Sequence, residues 1–572
     1  MRYPNTAVVV LLSLFAIAHV APAQAPIPDL SGLWVARLRF DPAAPTAVII
    51  MKDQGRWYAD VGGMRLDAQL NDRSISFTLP DDKARFRGTL GGNLIAGHLT
   101  GAKGSGYATP LILTRDGANR WSGTTSPLSM TSTYYMPLSR RGDGTYATYL
   151  RNPERNQGQF LPVSSARVNG DVIELVGHRG NQPDRVIATG RYDDGIIRAV
   201  INGDSYDFTR DEDSSSEFYP RGKHAARYNY IEPLDMRDGW PVAKPEDVGV
   251  SRAQIEKFVQ MLSDMPMDSL TTPQIHSFLL ARHGKLVVEE YFHGYDRDTP
   301  HDLRSAGKSW VSVLIGAAME AGVPIKPSTP VYQTMLGSVP ADLDPRKRAM
   351  TLEHLMSMTA GYNCSADDAP GNEDRMQEQD KEPDWYRFTL NVPMLTSPGD
   401  TTVYCSIEAN LAGGMLQKIA HESLTDMFYR LVAKPLQMSH YHLFLTPTGD
   451  AYGGGGQRFT PRDFLKLSQL MLNEGTWKGK RIMSREWTLQ SGSAMHNLSS
   501  QQQWGWLWNS VEFPYKGRKV RGIFAGGNGG QVFMAIPALD VVIAFTGGNY
   551  AQAVTYVSQR EFIPRYVLPA IE

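Results

Sequence analysis

Cysteine is nearly absent: the 572 residues hold two, Cys364 and Cys405. No cysteine pair stands at metal-ligand spacing and no His-Glu-x-x-His run occurs, so no metal site and no cofactor are expected. Net charge is equally scarce, and a formal charge of -1 leaves no basic footprint for nucleic acid. Beyond the N-terminus no apolar run is long enough to cross a bilayer, which excludes a membrane span in the mature chain. Helical periodicity is missing from Ser31 to about Arg210, a stretch that must find its core another way.

What is present begins with Met1-Arg2, an apolar run from Ala7 to Ala21, and the small-x-small pattern Ala21-Pro22-Ala23. Residues 1–23 therefore read as a secretory signal peptide, and the protein as exported, periplasmic or secreted. No cysteine follows the cleavage point, so no lipid anchor is indicated. In an oxidising compartment Cys364 and Cys405 form either one disulfide, worth about 3–4 kcal/mol for a loop of about forty residues, or two buried thiols.

A chain of this length, 42% hydrophobic and 10% aromatic, buries two or more cores. Residues 24–235 form a β-rich N-terminal region. Trp34, Ala36, Leu38 and Phe40 alternate with polar or outward positions, as do Trp57, Ala59 and Val61, and then Ile75, Phe77 and Leu79. Period two with frequent turns predicts short antiparallel strands in a barrel or a sandwich. Asn71–Phe77 resembles Asn169–Leu175, and Gly88–Ile95 resembles Gly190–Ile197, at offsets of 98 and 102 residues. The near agreement favours two similar β units; recurrent hairpin grammar is the plainer reading. Gly203-Asp204-Ser205 looks like a lipase signature but sits late in a β unit, where it makes a turn. A polar stretch around Asp211–Ser216 is linker-like, and the boundary falls near residue 235.

Residues 236–572 mix helix and strand patterns. Ser251 with Gln254 reads as a capping box before the apolar face Ile255, Phe258, Val259 and Leu262. A hairpin follows, Phe278–Ala281 and Leu286–Phe292 around His283-Gly284. Then comes Ser305-Ala306-Gly307-Lys308 at the start of a helix whose residues Val311, Leu314, Ile315 and Ala318 form an apolar stripe. Helical residues three apart share a face, so a hydroxyl and an amine meet there, and a neutral amine activates a serine. Gly307-Lys308-Ser309 is not a phosphate loop, because Asp302 stands where that motif needs glycine. About a hundred residues on, Pro398-Gly399 leads to Tyr404-Cys405-Ser406 and a helix bearing Leu411, Met415 and Ile419. Near the end, Phe524–Gln531 is glycine-rich and runs into a strand at Val532–Pro537 with Val541–Phe545 as its hairpin partner. Glycines let a backbone approach a substrate closely, and strand N–H groups can hold an oxyanion.

In that order, Ser-x-x-Lys, Tyr-x-Ser and a glycine-rich strand entry resemble the serine β-lactamase and penicillin-binding-protein superfamily, nearest its class C and esterase-like branch. Thr351–Gly361 is similar to the family's helix after the nucleophile. The resemblance implies an α/β domain, an antiparallel sheet flanked by helices with a helical subdomain, preceded here by an all-β region. It implies that Ser305 is acylated, that Lys308 assists its deprotonation and that Tyr404 is a base or proton shuttle. Ser406 then orients Lys308 or the substrate, and Ala525, Gly526 and Gly527 form the substrate and oxyanion strand. Here the pattern departs, since the family's third motif carries a cation and Ala525-Gly526-Gly527 does not; Gly522-Ile523-Phe524, the other register, supplies none either. That weakens carboxylate-bearing β-lactam and peptide substrates and favours an ester or uncharged amide. A lysine of ordinary pKa about 10.4 needs a drop of roughly three units, about 4 kcal/mol, to work as a neutral base near pH 7.

Among other residues, His354 reads as a packing or hydrogen-bonded histidine, and Trp504, Trp506 and Trp508 as core or cleft wall. The acidic stretch Cys364–Asp374 is a solvated loop that overhangs the site at most. The expected function is that of an exported serine hydrolase acting through an acyl-enzyme on a small-molecule carboxylic ester or small amide. The alternatives are a β-lactamase or D-amino-acid peptidase, and a catalytically silent binder of cell-envelope glycans or peptides.

Overall fold

The computed structural model describes residues 28–572 apart from 41–44, 81–83, 102–105, 127, 129, 155–159, 179, 212–214, 216, 365–372 and 499–501. The signal peptide, most of the acidic loop and much of the linker expected from sequence lie outside the described residues.

The alternating segments of the N-terminal half become sixteen antiparallel strands. They are β1 (Gly32–Phe40), β2 (Ala47–Asp53), β3 (Arg56–Val61), β4 (Met64–Asn71), β5 (Ser74–Thr78), β6 (Ala84–Gly91), β7 (Leu94–Gly101) and β8 (Gly106–Gly117). Next come β9 (Arg120–Thr124), β10 (Met130–Arg140), β11 (Tyr146–Ala147), β12 (Val163–Asn169), β13 (Val172–Gly177), β14 (Arg185–Asp193), β15 (Ile196–Ile201) and β16 (Asp204–Asp211). Strands β2 to β8 pair in sequence and β9 bonds both β8 and β2, closing one barrel around Ile50, Ile75, Phe77, Phe86 and Trp121. Strands β10 to β16 close a second barrel through β1, around Trp34, Tyr134, Ile173 and Phe208. The two similar sequence stretches fall on the hairpins β4–β5 and β12–β13, and on β6–β7 and β14–β15. Taken as eight-strand runs, β1–β8 and β9–β16 each give seven strands to one barrel and their first strand to the other. Gly203-Asp204 lies in the β15–β16 turn, where Asn202 and Gly203 have φ of 54° and 95°, the positive values that tight hairpins demand.

The C-terminal half is built on an eight-stranded antiparallel sheet. At one edge β17 (Ile275–Arg282) and β18 (Lys285–Tyr291) form the expected hairpin, with His283 and Gly284 both at positive φ. Beside β17 lie Val541–Gly547, then Gln531–Ile536, Arg518–Gly527 and Asn509–Tyr515. Helix Arg252–Ser263 packs Ile255, Phe258 and Val259 on one face of the sheet together with the C-terminal helical segment at Phe562 and Ile563. The other face meets helix Pro461–Leu472, and the same core continues into helices Ser309–Glu320 and Ser406–Ala420. Ser251 precedes the first helix, but its side chain makes no capping bond, so the capping box expected with Gln254 is not formed.

Helix Ser309–Glu320 departs from the stripe expected of it. Residues Ser309 to Ala318 are all buried, because helical segments pack around them: Ser406–Ala420, Leu424–Phe428, Tyr429–Ala433 and Arg485–Ser491. Its two hydroxyls are accommodated by partners: Ser309 Oγ donates to the Leu507 carbonyl at 2.7 Å, and Ser312 and Ser491 share a bond of 3.1 Å.

The barrel closed by β9 is tied to the strand that precedes Ser305. The β8 residues Gly106–Ala108 pair with β20 (Tyr441–Leu445), which pairs with β21 (Arg458–Phe459), which pairs with β19 (His301–Asp302). His98 bonds the Tyr441 hydroxyl at 3.1 Å and Thr109 bonds His442 Nδ1 at 2.8 Å across the same junction. The second barrel docks through buried Arg151, whose Nη1 donates to Gln274 Oε1 at 3.2 Å.

Candidate functional site

Immediately after β19 the chain makes a tight turn, Arg304–Lys308, that runs straight into the helix Ser309–Glu320. Arg304 takes a φ of 48°, rare for a residue with a Cβ, and Asp302 Oδ1 accepts its N–H at 3.0 Å. This bend turns Ser305 toward a cleft of about 540 Å³ while Lys308 points into the core. Lys308 Nζ donates to Ser305 Oγ at 2.9 Å. The amine is 1% exposed, and burial pulls its pKa down to about 8 against a small opposing pull from the Glu373 carboxylate.

Tyr404 is half-buried on the cleft wall. Burial, reinforced by the Glu373 carboxylate, raises its phenol well above the ordinary tyrosine range, although bonding to the Ser305 and Ser406 hydroxyls pulls the other way. Its ring centroid is 4.8 Å from Lys308 Nζ and 5.9 Å from the edge-on ring of buried Trp504. Trp504 is anchored in turn by a 3.0 Å bond from Nε1 to the Met356 carbonyl. Ser305, Lys308 and Tyr404 thus converge, although about a hundred residues separate the last from the first two.

The remaining sequence candidates divide. Ser406 is buried at the start of its helix; its N–H donates to Glu373 Oε1 at 2.7 Å and its hydroxyl meets Tyr404, so it bonds two residues of the cleft lining without belonging to the lining itself. Gly526 and Gly527 line the cleft, whereas Ala525 is fully buried in the core. A Cβ on Gly527 would stand 2.2 Å from the Leu303 carbonyl oxygen and 3.0 Å from Ala306 N, so only glycine lets this strand run beside the Ser305 turn. The neighbouring strand Asn509–Tyr515 pairs with Arg518–Phe524 and goes no further, leaving Ala525–Gly527 without a strand partner on that edge. Backbone groups there are placed to meet a substrate.

Cys364 and Cys405 are bonded, with Cα atoms 5.8 Å apart, and the bridge pins the residue next to Tyr404 to the start of the acidic loop. Glu408, buried one turn later, completes with them the one close grouping of three potential metal-ligating side chains among the described residues, and two of those sulfurs are bonded to each other. His354 packs as a capping partner: its Nδ1 accepts from Thr351 N at 3.1 Å, and it takes no part in the site. Of the acidic loop, Glu373 does reach the cleft and is the one charged side chain of its lining among the described residues. Sequence reasoning did not find Asn509, Asn528, Gln552, Tyr556 or Gln559 in that lining. No local pattern marks them, since their place follows from how distant strands and the C-terminal segment meet.

Residues 274–551 match the family model described as Beta-lactamase. The 6-aminohexanoate-dimer hydrolase of Paenarthrobacter ureafaciens is 24% identical over 224 residues, 37% of this chain, and the match spans 55% of that relative's length. Among solved structures, EstCE1, a hydrolase with promiscuous acyltransferase activity, is 17% identical, with a TM-score of 0.43 covering 56% of this chain and 98% of that one. A penicillin binding protein from Bacillus halodurans is 14% identical, with a TM-score of 0.40 covering 51% of this chain and 97% of its own. No helix among the described residues is long and apolar enough to cross a membrane. Residues 274–551 are thus similar to the serine β-lactamase and penicillin-binding-protein superfamily of β-lactamase-fold hydrolases, a likeness that spans just under half of the chain.

Proposed function

We propose that the protein is an exported serine hydrolase that cleaves a carboxylic ester or small amide through an acyl-enzyme on Ser305. The reading extends to the whole chain as a leader (1–23), a β-rich region (24–235) and a hydrolase domain (236–572). What carries it is the 2.9 Å contact between Lys308 Nζ and Ser305 Oγ at the floor of an open cleft.

With its pKa near 8, Lys308 is neutral in about one molecule in ten at pH 7, and the neutral amine takes the Ser305 proton as Oγ bonds the carbonyl carbon. Tyr404 is a neutral phenol at that pH, so it serves as the donor to the leaving oxygen or nitrogen and recovers its proton from the Lys308 ammonium. N–H groups of Ser305 and of the strand edge at Gly526–Gly527 steady the oxyanion, and water then releases the acid and restores Ser305. Among the described residues no lysine or arginine lines the cleft, and Glu373 does, which disfavours a carboxylate beside the scissile bond and hence β-lactams and D-amino-acid peptides. A silent binder has no use for a buried amine held against a serine. The 6-aminohexanoate-dimer hydrolase similarity agrees with an amide among the substrates, and the Cys364–Cys405 bond agrees with export.

The test is labelling with a fluorophosphonate, wild type against Ser305→Ala, followed by p-nitrophenyl esters, nitrocefin and D-alanyl peptides. A Ser305-dependent adduct with ester turnover supports the reading; no adduct with any reagent returns the protein to the binder class.

A further inference from the structure

The Ser305 cleft does not end at Tyr556. Gln502, Tyr556 and Gln559 line both this cleft and a second cavity of about 770 Å³. Gln502 Nε2 donates to Gln559 Oε1 at 3.4 Å, so the divide between the two cavities is a saddle of side chains from two segments. Beyond it, Val511, Phe513 and Pro564 join the Tyr556 ring, itself 40% exposed, in offering apolar surface.

Charge distinguishes the two ends. In the second cavity Glu512 is engaged by Lys519 at 2.9 Å, which holds its carboxyl below the ordinary range. Arg560, by contrast, has no ion pair among the described residues, and its guanidinium lies 4.8 Å from the Tyr556 ring centroid. The uncompensated charge is therefore positive there, and negative beside Ser305, where Glu373 stands.

We propose that the second cavity is a subsite for the far end of the substrate: an apolar chain that crosses Tyr556 and ends in a carboxylate at Arg560. The proposal rests on Ser305 being the nucleophile. A guanidinium matches a carboxylate with two parallel N–H donors, and the Tyr556 face beneath it fixes the fork. The cation missing from the strand Ala525–Gly527 is thus replaced by one at the distant end, and an anionic group is accepted only there.

The experiment compares kcat/KM for chain-length-matched esters with and without a terminal carboxylate. One series carries it on the acyl side, as p-nitrophenyl half-esters of linear dicarboxylic acids, and the other on the alcohol side, as esters of ω-hydroxy acids. In at least one series the wild type prefers the charged chain by roughly fivefold, the modest factor an exposed ion pair supports. Arg560→Gln, with unchanged circular dichroism, brings the pair to within about twofold, and Arg560→Lys retains part of the preference. Equal rates in both series, or a preference that survives Arg560→Gln, overturn the subsite while leaving the nucleophile intact. Absence of any hydrolysis together with absence of a Ser305 adduct overturns the nucleophile, and the subsite with it.

Discussion

Burial depresses the Lys308 amine at a cost to the fold, and Lys308→Met exposes that cost. Its pKa falls from 10.5 to about 8 on folding, a difference of about 2.5 units, or ~3.4 kcal/mol at about 1.36 kcal/mol per unit. The amine is wholly buried, so solvent screening does not reduce this figure much. Methionine fills a similar volume without a charge but gives up the bond to Ser305 Oγ, worth about 1 kcal/mol. The variant is therefore expected to be more stable than wild type by about 2 kcal/mol at pH 7. Because the folded pKa lies below the unfolded one, the unfolded chain binds the extra proton between about pH 8 and pH 10.5. Wild-type stability gains with rising pH across that window, and the advantage of methionine shrinks to nothing or reverses. By differential scanning calorimetry, with the shift read on the same transition throughout, the variant melts about 2–3 °C higher at pH 7 and no higher at pH 10.5. The same titration appears in wild-type kinetics, where Ser305 labelling rises about tenfold from pH 6 to pH 7 and levels off above pH 8. A variant less stable than wild type at pH 7, or a difference unchanged at pH 10.5, refutes the depressed amine and the base role built on it.

Tyr404→Phe leaves the Ser305–Lys308 contact in place but removes the proposed proton donor, so kcat is expected to fall by about 10²–10⁴ while melting shifts little, as measured by steady-state kinetics and calorimetry. Gly527→Ala places a Cβ 2.2 Å from the Leu303 carbonyl and pushes the strand from the Ser305 turn; fluorophosphonate labelling is expected to slow by at least about tenfold. Replacing both Cys364 and Cys405 by serine opens a bridge spanning 41 residues, and chemical denaturation should show a loss of about 3–4 kcal/mol with slower acylation, since Tyr404 adjoins the bond.

The parts of this molecule written in local patterns were legible. Alternation at Trp34–Phe40 and Ile75–Phe77 marks β1 and β5, and His283-Gly284 marks the β17–β18 turn because both positions require positive φ. The convergence of Ser305, Lys308 and Tyr404 followed from the order of three motifs, each too common alone to mean much. What alternation does not encode is partnership: nothing in Trp34 or Trp121 says that β1 and β9 are exchanged between barrels, because a strand's period is the same whichever barrel it closes. Ala525 differs from its two neighbours in that its side chain packs in the core, which a motif read as three consecutive residues does not show. The stripe on Ser309–Glu320 failed because an apolar face is visible in sequence, whereas the second layer that buries the rest is not. Tyr556 and Gln559 carried no signal at all: the C-terminal segment reaches the cleft by packing, not by motif.

In the proposed reaction Ser305 becomes an ester of the enzyme. Intact-mass spectrometry after brief reaction with a p-nitrophenyl ester tests it directly, with the adduct located by peptide mapping. The mass of one acyl group on the peptide containing Ser305, absent in Ser305→Ala and lost again as the substrate is exhausted, is the predicted result. Turnover without that adduct under rapid quench, or turnover undiminished in Ser305→Ala, contradicts it.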